Sequence, residues 1–107
     1  MFEGKRYMTV GVKETVGLDI QIIIWSMIDD IRKKNDFNID YLQVFELETI
    51  EINGFEFQKI THKQEVEPYS VTKVFRVEKT VNCKMFVISN KDEEGQEYSV
   101  MMLSHEY

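Results

Sequence analysis

A chain of 107 residues is the size of one domain and too short for two ordinary cores, so residues 1–107 are read as a single domain. Apolar residues at 43% and charged residues at 30% exclude the composition of a disordered segment. Nineteen acidic against thirteen basic side chains give a formal charge of −6, which opposes a phosphate backbone unless the basic side chains gather on one face, so nucleic acid is not an expected partner.

The opening Met1-Phe2-Glu3-Gly4-Lys5-Arg6 has no apolar run of signal-peptide length behind it, and the longest apolar stretch, Ile22 to Trp25, is far short of a membrane span. The expectation is a cytoplasmic protein with no membrane partner. From Arg6 to Val12, Met8, Val10 and Val12 alternate with Tyr7, Thr9 and Gly11, the pattern of a strand with one buried face. Gly17 breaks it. From Leu18 to about Lys34 the spacing is helical: Ile20, Ile23, Ile24, Met27, Ile28 and Ile31 recur every three or four residues as one broad stripe. Asp19 near the start and Arg32, Lys33 and Lys34 near the end complement the helix dipole, and Asn35 is a stop signal.

Strands follow: Tyr41 to Ile52, Phe55 to about His62, Val71 to Val77, Cys83 to Ser89, and Tyr98 to about His105. Asn53-Gly54 accepts the two positive φ angles of a type I′ turn, which predicts a tight hairpin with Ile52 opposite Phe55, Ile50 opposite Phe57, Glu48 opposite Lys59 and Leu47 opposite Ile60. In that register the apolar pairs change side along the hairpin, which calls for a bulge, a strong twist, or an apolar tip packed on something else. The polar segment Asn90 to Gln96 predicts a second hairpin loop. Strands that follow one another without helices pair most simply as antiparallel neighbours. The expected fold is therefore α+β, one antiparallel sheet of about five or six strands with a single long helix packed on one face.

Few side chains offer chemistry. On a helical wheel Leu18, Ile22 and Trp25 fall roughly opposite Ile20, Ile24 and Ile31, a second apolar strip where a one-sided helix should be polar. Either another part of the chain covers this strip or it is an interface for a second copy or another protein. His62 and His105 are the two histidines, each near a predicted strand end with Glu65 or Glu106 close by. They are weak metal-ligand candidates, because no local two-ligand motif joins them. The loop Asn90 to Gly95 spaces its oxygen side chains like the first half of an EF-hand, but Met101 stands where the bidentate Glu belongs. Cys83 is alone, which rules out an internal disulfide and points to a buried small hydrophobe. No nucleophile elbow, Gly-rich dinucleotide loop or P-loop is present, so no catalytic residue and no cofactor is assigned. Aromatic residues on the strands, Tyr7, Phe45, Phe55, Phe57, Phe75 and Phe86, are read as core before any nucleic-acid stacking role.

Several runs carry a likeness. Arg6-Tyr7 with Thr9 and Gly11, Ile24-Trp25-Ser26-Met27-Ile28-Asp29, and Asp40 through Leu47 are three of them. Gln58-Lys59-Ile60 with His62 and Gln64-Glu65-Val66, and Met102-Leu103 with Glu106-Tyr107, complete the set. Together they resemble the small Gram-positive bacterial and phage-borne proteins grouped as domain of unknown function 960. The resemblance spans nearly the whole chain and implies no activity, cofactor or substrate. The leading expectation is a non-enzymatic protein-interaction module, acting through Leu18, Ile22 and Trp25 or through a free sheet edge. Two alternatives stand beside it: a ligand- or metal-binding protein or enzyme with dispersed site residues, and an acidic phage-type inhibitor that mimics nucleic acid.

Overall fold

The computed structural model describes residues 1–107. The isoleucine stripe folds as a helix, Leu18–Arg32 (α2 in chain order), on which Ile20, Ile24, Ile28 and Ile31 are fully buried and Met27 nearly so. Each fully buried isoleucine contributes about 1.5–3 kcal/mol of gross hydrophobic stabilisation. Gly17 is the N-cap, and Asp19 in the first turn accepts from the backbone N–H groups of Ile20 (2.8 Å) and Glu78 (2.9 Å). That second bond ties the helix start to the chain that follows the fourth strand.

Six strands accompany it: β1 (Lys5–Met8), β2 (Leu42–Ile52), β3 (Phe55–Gln64), β4 (Tyr69–Phe75), β5 (Cys83–Lys91) and β6 (Glu97–Leu103). They form one sheet in the order β1-β6-β5-β2-β3-β4. Asn53 and Gly54 have φ of 52° and 83°, as the type I′ turn requires, and Ile52–Phe55, Ile50–Phe57, Glu48–Lys59 and Leu47–Ile60 are paired. The register continues to Val44–Lys63 without a bulge. The change of apolar side is met differently: the Arg76 guanidinium lies over the rings of Phe55 and Phe57, 5.5 and 5.4 Å from their centroids.

Two expectations about the N-terminal region are corrected. The strand expected over Arg6–Val12 stops at Met8, and a second, short helix, α1, runs Val10–Thr15. Thr9 is its N-cap, its hydroxyl oxygen accepting from Val12 N at 3.2 Å. Val12 and Val16, four residues apart, both point into the core. The sheet is also mixed, because β1 pairs parallel with β6 (Lys5 with Tyr98 through Met8 with Met101) while every other pair is antiparallel. Hairpins force antiparallel neighbours, but β1 and β6 share no hairpin. They are the first and last strands, and the chain between them is long enough to return in the same direction.

One face of the sheet packs on α2. Phe45 and Leu47 of β2, Ile60 of β3, Met85 and Val87 of β5, and Met101 and Leu103 of β6 join the α2 stripe, Phe2, Val12 and Val16 in one core. Tight backbone packing brings the N-terminal end in. Gly4 has φ +82°, and a Cβ there would lie 2.2 Å from the Glu97 carbonyl oxygen. At the other end a short 3-10 turn, Ser104–Glu106, folds back on α1. The Glu106 carboxylate accepts from the Thr9 hydroxyl (2.7 Å) and Leu103 N (2.8 Å), which holds its pKa below the usual glutamate value.

Candidate functional site

The polar side chains buried beneath the helix form the most unusual internal feature. Along the helix-facing rows of β2 and β3, Gln43, His62 and Gln64 replace apolar residues. Gln64 Oε1 accepts from Gln43 Nε2 (2.7 Å) and from Asp40 N (2.9 Å), while Gln64 Nε2 donates to the carbonyls of Asn38 (2.8 Å), Val66 (2.6 Å) and Glu67 (3.1 Å). One glutamine thus fastens the α2–β2 connection to the β3–β4 turn. Gln43 Nε2 also donates to the Asp40 carbonyl, so its Oε1 is the atom 2.7 Å from His62 Nε2. Nε2 must then be the protonated ring nitrogen, and Nδ1 carries a buried lone pair without a partner.

His62 is fully buried, stacked on Phe45 at 4.2 Å between centroids and edge-on to Tyr69 at 5.3 Å. Burial pushes its pKa down to about 4, with the Asp30 carboxylate pulling weakly the other way. It is a neutral core group, not the strand-end histidine expected from its position. His105 lies on the exposed 3-10 turn after β6, and Glu65 and Glu106 do not join the two imidazoles into one cluster. No three His, Cys, Asp or Glu side chains stand close enough to hold a metal ion.

The helix strip is open to solvent. Leu18 and Ile22 are 67% and 60% exposed, one turn apart. Trp25 is half-buried, its indole covered by the Arg6 guanidinium at 4.8 Å. Arg6 is held there by its ion pair with Asp29, which also takes Arg32 at 3.3 Å; the Arg6 hydrogen bond lowers the Asp29 pKa most. The chain's own loops leave Leu18 and Ile22 uncovered.

A larger open surface lies on the far side of the sheet. Strand alternation turns Leu42, Val44, Phe86, Ile88, Val100 and Met102 away from α2, and all six are only half-buried. Tyr41, Tyr98 and Tyr107 rise beside Ile88, Val100 and Met102 to bound a groove of about 520 Å³. Sequence reading missed this face. Its residues interleave with buried ones, and a strand apolar on both sides does not say which side a lone helix covers.

The remaining candidates are structural. In the β5–β6 loop, Asp92 Oδ1 accepts from Glu94 N and Gln96 N at 2.9 Å each, which closes its own turn. Cys83 is half-buried against the core, and burial raises its thiol pKa.

A family model described as "Staphylococcal protein of unknown function (DUF960)" matches residues 5–106. The chain belongs to this family. The chain is also similar to the solved structure of a protein of unknown function from Enterococcus faecalis. It has 22% identity and a TM-score of 0.63, the match covering 100% of this chain and 98% of that one. The likeness shows the fold alone. No curated protein matches the chain. No helix is long and apolar enough to cross a membrane.

Proposed function

We propose that this DUF960 chain is a non-enzymatic protein-interaction module whose docking strip is Leu18, Ile22 and Trp25 and whose occupant is a second copy of the chain. The observation that carries the reading is the 67% and 60% exposure of Leu18 and Ile22, one turn apart on a helix whose other apolar residues are buried or half-buried. Two features favour a second copy. Arg6 and Arg32 are balanced by Asp29 and Glu3 in one group of ion pairs beside the strip, so two copies meet there with little net charge. The strip is also continuous along one helix, which suits isologous helix-on-helix packing around a two-fold axis. Two exposed aliphatics and the edge of an indole supply well under the roughly 800 Å² per partner of a stable interface, so the dimer is weak.

Sedimentation velocity across about 5 to 500 µM tests this, because a weak dimer populates by mass action. The wild type should shift from monomer toward dimer as concentration rises. Ile22→Glu should stay monomeric with an unchanged melting temperature. A wild type that remains monomeric throughout, or an Ile22→Glu chain that dimerises equally well, refutes the reading.

A further inference from the structure

The chain supplies its own cations to several of its rings. Arg6 lies over Trp25, Lys34 over Tyr69, Arg76 over Phe55 and Phe57, and Lys84 over Phe86, at 4.8 to 5.8 Å from the ring centroids. Tyr41, Tyr98 and Tyr107, the three rings that bound the groove on the open sheet face, have no cation of the chain over them. Each is fixed from a separate segment. Tyr41 precedes β2, and its carbonyl accepts from Ser89 N of β5 at 2.9 Å. Tyr98 is the first outward position of β6, followed by Val100 and Met102, with Ile88 paired opposite Val100. Tyr107 closes the 3-10 turn, its N–H donating to the Ser104 carbonyl at 3.3 Å and its hydroxyl 3.5 Å from that of Tyr41. Tyr7 stands edge to face with Tyr98 at 6.2 Å and Phe86 with Tyr107 at 5.5 Å, which holds two of the walls in place. Tyr41 and Tyr107 are 46% and 64% exposed, so ring surface is available to a ligand.

Glu106 is the one charged side chain in the lining of this groove. Its carboxylate accepts from the Thr9 hydroxyl and from the backbone at Leu103 and Gly11, all uncharged donors, and no Lys or Arg is bonded to it. The lysines nearest the groove have carboxylates of their own. Lys5 shares an adjoining depression with Asp92 and Glu97, and Lys84 is paired opposite Glu46. An anionic ligand therefore finds no cation in the lining, and a lone carboxylate does not hold a metal ion.

We propose that the groove binds a small organic cation of the quaternary ammonium class, held among Tyr41, Tyr98 and Tyr107 with Glu106 as its counter-charge. Ring quadrupoles attract a cation, and three tyrosines free of the chain's own cations leave that attraction to a ligand. A methylated nitrogen is the form that suits a floor of Ile88, Val100 and Met102, because its charge is spread over apolar surface and sheds water at less cost than a compact ion. The occupant is a free molecule, since about 520 Å³ lies within the range of small-ligand sites. This groove lies across the sheet from the Leu18, Ile22 and Trp25 strip, and the proposal does not rest on self-association.

Amide chemical shifts followed while choline chloride replaces sodium chloride at constant ionic strength test it. Residues 41, 88–90 and 98–107 should shift together and saturate with a Kd of roughly 1–20 mM, the range open to so few ligand atoms. The neutral isostere 3,3-dimethylbutan-1-ol should bind at least about fivefold more weakly, because it lacks the charge. Tyr98→Leu and Tyr107→Leu keep apolar bulk without a ring, and each should weaken choline binding about two- to fivefold. Glu106→Gln keeps the acceptor for Thr9 and Leu103 N and should weaken it about three- to fivefold. Circular dichroism checks that each variant folds, and Tyr107→Leu, at an exposed turn after the last strand, is the replacement least able to disturb the core. Ile22→Glu should bind choline as the wild type does. Shifts that fail to saturate by about 100 mM choline overturn the proposal, as does unchanged affinity in both tyrosine variants. Equal affinity for the neutral isostere also overturns it, and assigns the groove to an uncharged apolar ligand instead.

Discussion

Titrating stability through the His62 range tests the buried polar centre most directly. The imidazole has a pKa of 6.5 when free and about 4 in the fold. Because the folded value is the lower one, its contribution is complete above pH 6.5 and is lost as pH falls toward 4. The difference of 2.5 units at 1.36 kcal/mol each is about 3 kcal/mol. That is a large share of the 5–15 kcal/mol typical of a domain. Asp29, Glu46 and Glu106 also have lowered pKa values, but carboxylates lose stability only below the ordinary carboxylate range, so pH 6.5 to 5 belongs to the imidazole. Urea unfolding followed by Trp25 fluorescence at several pH values gives the slope, provided the denaturant dependence stays constant. The wild type should lose about 1 kcal/mol per pH unit across that window, as the unfolded imidazole takes up its proton, and His62→Gln should be flat there. A flat wild-type profile would mean the ring is solvated or paired in the folded state, and the reasoning about its burial would fail.

Other outcomes follow from neighbouring geometry. Gln64→Leu strips partners from three carbonyls and from Asp40 N; it should cost about 3 kcal/mol or more and speed amide exchange in residues 38–41 and 65–68. Gly4→Ala combines a positive φ with a backbone clash against Glu97 and should cost at least about 1–2 kcal/mol, read as a lower melting temperature. Thr9→Ala removes the α1 cap and should cost about 1 kcal/mol, and by NMR titration it should raise the Glu106 pKa as that carboxylate loses its hydroxyl donor.

Much of this fold is readable in single residues. Three- and four-residue isoleucine spacing defines α2, and Asn53-Gly54 sets the β2–β3 register down to individual pairs. The N-terminal region misleads because Met8, Val10 and Val12 alternate like a strand while Val12 and Val16 have helical spacing. Thr9, read there as one more outward residue, is the cap that decides between them. His62 was legible as a histidine but not as a core one, because its burial depends on which sheet face the helix covers. The same ambiguity hides the open face: Lys59, Lys63 and Lys84 are scattered in the chain and meet only through the β2–β3 and β2–β5 registers. The exposed strip was visible, since Leu18, Ile22 and Trp25 break the polar side of α2 by local spacing alone.

The parallel pairing of Lys5–Met8 with Tyr98–Met101 carries a kinetic consequence. During synthesis the first strand emerges long before its only sheet neighbour and has to wait, unpaired, for the rest of the polypeptide. Closing so long a loop is entropically unfavourable until β5 and β6 have formed their own hairpin. The N-terminal ribbon should therefore be the last piece to dock in refolding and the first to open under native conditions, leaving β6 transiently as a bare border of the sheet.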